Sequence, residues 1–468
     1  MSTSFALQVG QEAAHTLRLW RRDGRLLALL VLVCGWFAAA ALIGVDGARA
    51  WQIEAEQADQ LDHATWIGQG AGNPHSVAHF GQYAFKPAAP LQWFDPGVTG
   101  ALGIGVWMEA HYQNPATLRP IESQDGEVLP RSAAALLQWG LPLLLVVAGA
   151  SLWAGERESG RLRLQWVQGA RPAALLLGKA MMLLGLAALL WLPLALAAWI
   201  FDASRGAWLA LVYGLYASIW VLTTLAVSLL SRSSRGALAG LLGLWLLTTV
   251  IAPRLLANAA NQVAPLSSPE AFWTSVREGH AAGIDGHSSA DARRTELLQT
   301  TLAEYGVERE EDLPVSFAGI AMQAGEEHAN TVYDHHYGQL WQQLAAQDSW
   351  RLRLAVFSPL PALDQLSQWA AGSDWRHHRH FADAAELHRR ELQRFLNGDL
   401  TRHGKAQGSA YRAGPELWAA APRWSYRPPD VSEVVFPSAA LGVLTAWLAL
   451  IGALLFVGLR RAQQEASP

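Results

Sequence analysis

Apolar runs dominate the chain, and six of them contain no Asp, Glu, Lys or Arg: residues 26–45, 133–154, 180–201, 207–231, 237–252 and 437–459. About 20 residues at 1.5 Å rise cross a hydrocarbon layer of about 30 Å, so each run predicts a membrane-spanning helix. The fifth is short and ends at "APRLLAN"; its helix is expected to continue past Pro253, with its outer half shielded by protein. The first is followed by the small-residue sequence "GARA", residues 47–50, which resembles a signal-peptidase site behind an arginine-rich start. A secretory core is only about 7–15 residues long, so a retained anchor is expected. The predicted fold class is mainly α, a polytopic membrane protein with about six transmembrane helices and two extracytoplasmic insertions, the second mostly helical.

Charge is placed between the runs. Arg18, Arg21, Arg22 and Arg25 precede the first; Arg157, Arg161, Arg163, Arg171 and Lys179 fill the connector between the second and third. Arg232 and Arg235 separate the fourth and fifth, and Arg460 and Arg461 follow the sixth. All four sets fall on one side of a six-span chain, which by the positive-inside rule is the cytoplasm. Both termini are then cytoplasmic. The expected divisions are 1–45 (N-terminus and first span), 46–132 (first outer insertion), 133–253 (second to fifth spans, with the connector at 155–179), 254–436 (second outer domain) and 437–468 (sixth span and tail). Burying five or six of the connector's charges would cost well over 10 kcal/mol at about 2.5–3.5 kcal/mol each, so the connector lies outside the hydrocarbon.

Composition agrees with a membrane location: 51% of residues are hydrophobic and 16% charged, against about 25% charged in soluble domains. The net charge of -4 gives no support for nucleic-acid binding. The single cysteine, Cys34, excludes an intramolecular disulfide. No phosphate-binding loop is present, since "LLGKA" at 176–180 lacks the earlier glycine and the hydroxyl residue. Neither HExxH nor a nucleophile triad stands out.

The first outer insertion is rich in Gly, Pro and aromatics without clean periodicity, which reads as an irregular, partly helical cap. In the second, residues 317–344 and 375–396 are proline-free and predict long helices between breaks at Pro265, Pro269, Pro314, Pro359 and Pro361. Fourteen of fifteen histidines lie in the outer segments. His377, His380 and His388 share a face, but a helix offers ligands at i, i+3 or i+4, and His388 stands about 16 Å from His377 by helical rise. Histidines that cap or solvate an outer helical bundle are the expectation, with His377 and His380 as the metal candidates. His75 and His79 also have the i, i+4 spacing of a metal-ligand pair, but Asn73-Pro74 predicts a turn followed by at most one helical turn, and a metal role is not the expectation there. Trp139, Trp191, Trp220, Trp245 and Trp447 lie within spans and are expected to pack between helices.

From Glu156 to Trp166 the connector has no proline and only Gly160 as a breaker, mixing Glu and Arg with Leu162, Leu164 and Trp166. A short amphipathic helix is predicted, ended by "GARP", with Pro172 in the first turn of the next helix. Such a helix is either a solvated connector or a docking element for a cytoplasmic partner. The stretch "GERESGRLRLQWVQGARPAALLLGKAMMLL", with Gly155, Glu156, Glu158, Gly160, Leu162, Leu164, Arg171, Gly178 and Lys179 in pattern, resembles the coupling segment of ABC-2 type transporter permeases. Arg161 replaces a common threonine there, and "LQWVQGA" a Leu-Leu-Ser-x-Pro run. The outer stretches "NPHSVAHFGQYAFKP", "WFDPGVTGALGIGVWMEAHYQN" and "SDWRHHRHFADAAELHRRELQRFLNGDL" resemble the branch of that class with two large extracytoplasmic insertions.

The resemblance implies a coupling site at Glu156, Arg157, Glu158, Gly160, Arg161, Leu162, Leu164 and Arg171, docked on a separate cytoplasmic ABC ATPase that carries ATP and Mg. It implies no catalysis and no cofactor in this chain. It also implies a second permease subunit, as homo- or heterodimer, and a location in lipid, the bacterial inner membrane. The alternative is a non-transporting scaffold, or a metal-linked envelope maturation subunit that binds a partner through its outer domains. A secondary transporter commonly needs ionisable residues at mid-membrane, and the six runs contain none.

Overall fold

A computed structural model describes residues 4–99, 105–109, 132–284 and 289–464. The expected outer stretch at 93–114 therefore lies partly outside the described residues. Helix α1 (Phe5–Arg22) is capped by Ser4, whose Oγ accepts from the Leu7 N–H at 3.3 Å. It carries a narrow buried face of Val9, Glu12 and Thr16. Asp23 turns the chain into α2 (Gly24–Gly68), 45 residues without a break. At 1.5 Å per residue α2 is about 65 Å long, roughly twice the hydrocarbon thickness. The first insertion thus begins as an extension of the first span, where an irregular cap was expected from residue 46. The reason is local: residues 46–68 contain no proline, and Gly47 and Gly68 are their only glycines.

A one-turn helix α3 (Pro74–Ala78) and an antiparallel hairpin, β1 (Gln82–Phe85) with β2 (Gly105–Met108), follow in register Gln82↔Met108 to Phe85↔Gly105. The second span is α4 (Ala133–Gly149) continued by α5 (Ser151–Glu158), after which α6 (Arg161–Val167) stands apart. Then come α7 (Pro172–Phe201) and α8 (Ala203–Leu230). The fifth span is α9 (Ser234–Trp245), a π-helical turn at Leu246–Ile251, and α10 (Ala252–Val263). Pro253 lacks an N–H and would clash with the carbonyl four residues back, and the widened turn before it absorbs that conflict. The helix runs on past Pro253, as its sequence predicted.

The outer domain holds α11 (Pro269–Ala282), α12 (Ala290–Tyr305), α13 (Phe317–Arg353), α14 (Leu360–Ala371), α15 (Trp375–His403) and α16 (Pro415–Ala420); α17 (Ser438–Gln464) is the last span. Six helices, Leu26–Gly68, Ala133–Glu158, Pro172–Phe201, Ala203–Leu230, Ser234–Val263 and Ser438–Gln463, are long and apolar enough to cross a membrane. The chain is a mainly α-helical polytopic protein, as expected.

One core runs through the spans and takes in Leu360, Leu363, Leu366 and Trp369 of α14. Pro359 and Pro361, read from sequence as breaks, sit at the start of this helix, where a missing N–H costs nothing. Buried polar contacts fasten α14 to the bundle. The Ser367 hydroxyl meets Asp95 Oδ2 at 2.5 Å and Tyr213 OH at 3.0 Å, and Gln138 Nε2 donates to that phenol at 3.3 Å. Arg205, 2% exposed, donates to the Pro429 carbonyl at 2.7 Å and pairs with Asp202 at 3.2 Å.

Beyond the bundle, α13 and α15 pair through polar side chains, and a Cβ on Gly319 would fall 2.4 Å from Thr401 Oγ1, so only glycine allows that approach. The hairpin packs Ala84, Val106 and Met108 on Phe381 and Ala385 of α15.

Candidate coupling site

The four arginine-bearing segments meet at one end of the bundle. α1 lies against α7 at Gly178, where a Cβ would come within 2.8 Å of Glu12 Cβ. Trp20 of α1 donates to the Ala148 carbonyl at 3.1 Å. Glu158 accepts from the N–H of Ser234 at 3.2 Å and from its hydroxyl at 2.9 Å, tying the connector to the start of α9. Gly458 of α17 faces Leu229 and Leu230.

Between α4 and α5 the ladder of helical hydrogen bonds is bridged from outside. Ser228 of α8 donates to the Ala150 carbonyl at 2.7 Å and accepts from Trp153 N–H at 3.0 Å and Ala154 N–H at 3.2 Å. Ser228 is fully buried, so its removal orphans polar backbone atoms that water cannot reach. Ser228→Ala is expected to cost about 1–3 kcal/mol, the penalty for an unsatisfied buried group. Thermal melting of the detergent-solubilised protein reads it; an unchanged melting temperature would show that α5 does not depend on the bridge.

Below the bridge Lys179 forms a closed ionic group. Its ammonium donates to Glu12 of α1 and, at 3.0 Å, to Glu156 of α5, and it lies 5.0 Å from the centre of the Trp153 ring. Relative exposures are 0% for Lys179, 2% for Glu156 and 4% for Glu12, so all three charges are withdrawn from water. Glu156 Oε2 has no hydrogen-bond partner among the described residues. Starting the third span at residue 180 leaves Lys179 in the connector; the helix begins at Pro172 and takes the lysine in. An ionisable residue in an apolar helix demands a partner, and that was the signal available in the sequence for a site that includes Glu12.

The eight residues expected to form the coupling site are not equivalent. Glu156 and Leu162, 2% and 3% exposed, are interior and cannot touch a partner, which corrects their expected role. Glu156 is drawn inward by Lys179, and Leu162 belongs to the main core. Arg157 is half-buried and donates to the Ser231 carbonyl at 2.8 Å, and Glu158 is used on Ser234. Gly160 is left-handed, φ 73°, and redirects the chain so that α6 leaves the line of α5. Arg161, Leu164 and Arg171 are exposed; so are Arg163, Val167 and Gln168, which were not among those eight.

Leu164 at 56% and Val167 at 79% exposure are apolar side chains offered outward from a helix rimmed by arginines. Between α6 and α1 runs a groove of about 430 Å³, lined by Gln8, Gln11, His15, Arg18, Arg161, Leu164 and Gln168 among others. Burial in it, opposed by Glu12 and reinforced by Arg161, holds His15 below the usual imidazole range. Gln8 fixes the far end of the connector, accepting from the Arg171 N–H at 3.0 Å and donating to the Gly169 carbonyl at 3.3 Å.

The metal candidates are not brought together. His377 meets Asp374 Oδ1 through Nδ1 at 2.5 Å and is buried, whereas His380 is exposed and contacts the Tyr426 hydroxyl at 3.0 Å. No group of three or more His, Cys, Asp or Glu that could hold an ion exists among the described residues.

Helical content, six candidate spans and a shared apolar core define a multi-pass membrane protein with a large helical segment outside the bundle. Residues 269–427, most of that segment, match a family model described as a domain of unknown function, DUF3526. No curated protein matches the chain.

Proposed function

We propose that the chain is the membrane-spanning permease subunit of an ABC transporter, working as a dimer and coupled to a separate cytoplasmic ATPase. The observation that carries this reading is the pairing of an exposed docking face with a rigid linkage. Helix α6 offers Arg161, Arg163, Leu164 and Val167 outward, while the helices around it are locked through Lys179 to α1, α5 and α7. A force applied at α6 then has a stiff path into the second and third spans. Apolar anchors within a charged rim are also the usual anatomy of a protein interface. In this reading the arginine-rich end faces the cytoplasm of the bacterial inner membrane, and the DUF3526 segment lies outside it.

Leu164→Asp with Val167→Asp is the test, because both side chains are solvent-facing and the change leaves the core intact. The double variant is expected to keep the wild-type melting temperature and to lose at least tenfold in capture of a Walker-motif ATPase, since two buried anchors are worth about 1.4 kcal/mol or more together. Wild-type protein that captures no Walker-motif ATPase, or a variant that captures it undiminished, would overturn the reading. Labelling of Arg161→Cys in a Cys34→Ser background by a membrane-impermeant reagent in intact cells tests the orientation; protection is expected.

A further inference from the structure

The pair His75 and His79, on the segment between the first two spans, has a geometry that its i, i+4 spacing alone does not guarantee. Asn73 caps the short helix, its Oδ1 accepting from the N–H of His75 at 3.0 Å and of Ser76 at 3.3 Å. Val77 and Ala78 are buried against Leu392 and Leu396 of α15, within a cluster that includes Trp66 and Trp418. On this fixed base the two Nε2 atoms stand 3.4 Å apart, with the rings at 84°.

That separation suits a shared ion. Two imidazole nitrogens at about 2.0–2.1 Å from one tetrahedral centre are about 3.3–3.4 Å apart. A hydrogen bond between the two rings accounts for the approach only where His79 carries its proton on Nε2, and at 3.4 Å it is a long one. The other ring nitrogen of His75 is already committed. Its Nδ1 lies 3.1 Å from Asn397 Oδ1, a carbonyl oxygen that can only accept, and Asn397 Nδ2 donates to Gln323 Oε1 at 3.1 Å. The proton of neutral His75 is therefore on Nδ1, and Nε2 presents a bare lone pair toward His79. An outer partner that fixes tautomer and ring plane is what metal-binding histidines commonly have.

We propose that His75 and His79 form an open, two-imidazole binding site for a divalent transition metal ion of the class that prefers nitrogen ligands: zinc, nickel or copper. Calcium and magnesium, which take oxygen ligands, are excluded by the donor set. His75 is half-buried and His79 exposed among the described residues. With two protein ligands the ion exchanges readily, which suits loading and release rather than a structural role. The Irving–Williams order places copper(II) as the tightest of the three.

Titration of the untagged full chain in detergent with copper(II), followed by electron paramagnetic resonance, tests the site. The wild type is expected to show a component coupled to two imidazole nitrogens that disappears in His79→Gln. Because His79 is exposed, that variant keeps its fold, and an unchanged melting temperature without metal verifies this. Asn397→Ala, which leaves both ligands in place, is expected to weaken binding by about 10–100-fold. A parallel titration with zinc, read by competition with a chelating dye, should lose one equivalent in His79→Gln. The site is rejected if His79→Gln binds both ions with wild-type stoichiometry and affinity, or if the copper spectrum shows no two-nitrogen component.

Discussion

Replacing Lys179 by methionine should cost about 3–5 kcal/mol of stability, the range found when one partner of a buried ionic group is removed. Methionine matches the lysine stem in volume, so the loss is electrostatic. Glu12 and Glu156 would then face each other at 4% and 2% exposure with no counter-ion between them. Two carboxylates in that position either stay charged against repulsion and desolvation or take up a proton, and both routes are unfavourable near neutral pH. A triple variant, Glu12→Gln with Glu156→Gln and Lys179→Met, should regain most of the loss, because neutralising a whole buried group is far less harmful than breaking it. Arg161→Ala, on the exposed face, should stay within about 0.5 kcal/mol of wild type. Melting in detergent micelles ranks the three. A Lys179→Met protein that melts with the wild type would mean that the buried group does not hold α1 to the bundle.

The same cluster marks the limit of what the sequence reveals. The apolar runs were legible because hydrocarbon tolerates no charge, so uninterrupted stretches of about 20 residues have few other uses. Pro172 at a helix start and the helix continuing through Pro253 were legible for similarly local reasons. Glu12 was not, because its partner lies far along the chain and nothing near it in sequence demands one. The connector appeared as a single charged helix, since composition cannot separate Glu156, turned inward by Lys179, from Arg161, turned outward after Gly160.

The stalk of α2 was missed on different grounds. Residues 46–68 are polar on most sides, and only Ala55 and Trp66 among them are buried, so the stalk shows no clear apolar period. α14 was hidden by its prolines, which break a helix in the middle but begin one at the first turn. Leu164 was expected at the coupling site, whereas Val167, the more exposed apolar neighbour, was not; both lie on the outer face of a helix only seven residues long.

In the outer domain Arg389 is the residue whose loss should be felt most. It is 3% exposed and donates to both Glu386 oxygens, at 2.6 and 2.7 Å, and to Asn330 of α13, so it joins α15 to α13. Burial raises Glu326 on α13 to about 7, and the positive charge of Arg389 opposes that rise. Between the ordinary value of 4.5 and about 7 the folded protein therefore holds a proton that the unfolded chain has released. The stabilisation this gives is complete below about pH 4.5 and is lost as pH rises through 7. His378 works in the opposite sense: burial lowers it from 6.5 to about 3, so its contribution is lost as pH falls through that window. Comparing each variant with wild type at the same pH cancels the histidine. Arg389→Met should cost about 3–5 kcal/mol, as expected for a broken buried pair. The cost should be greater at pH 8 than at pH 5, because only at the higher pH does Glu326 also lose its counter-charge while ionised. Adding Glu326→Gln should remove most of that pH difference. A cost below about 1 kcal/mol, the size of an exposed ion pair, or one equal at both pH values, would place the junction of α13 and α15 elsewhere.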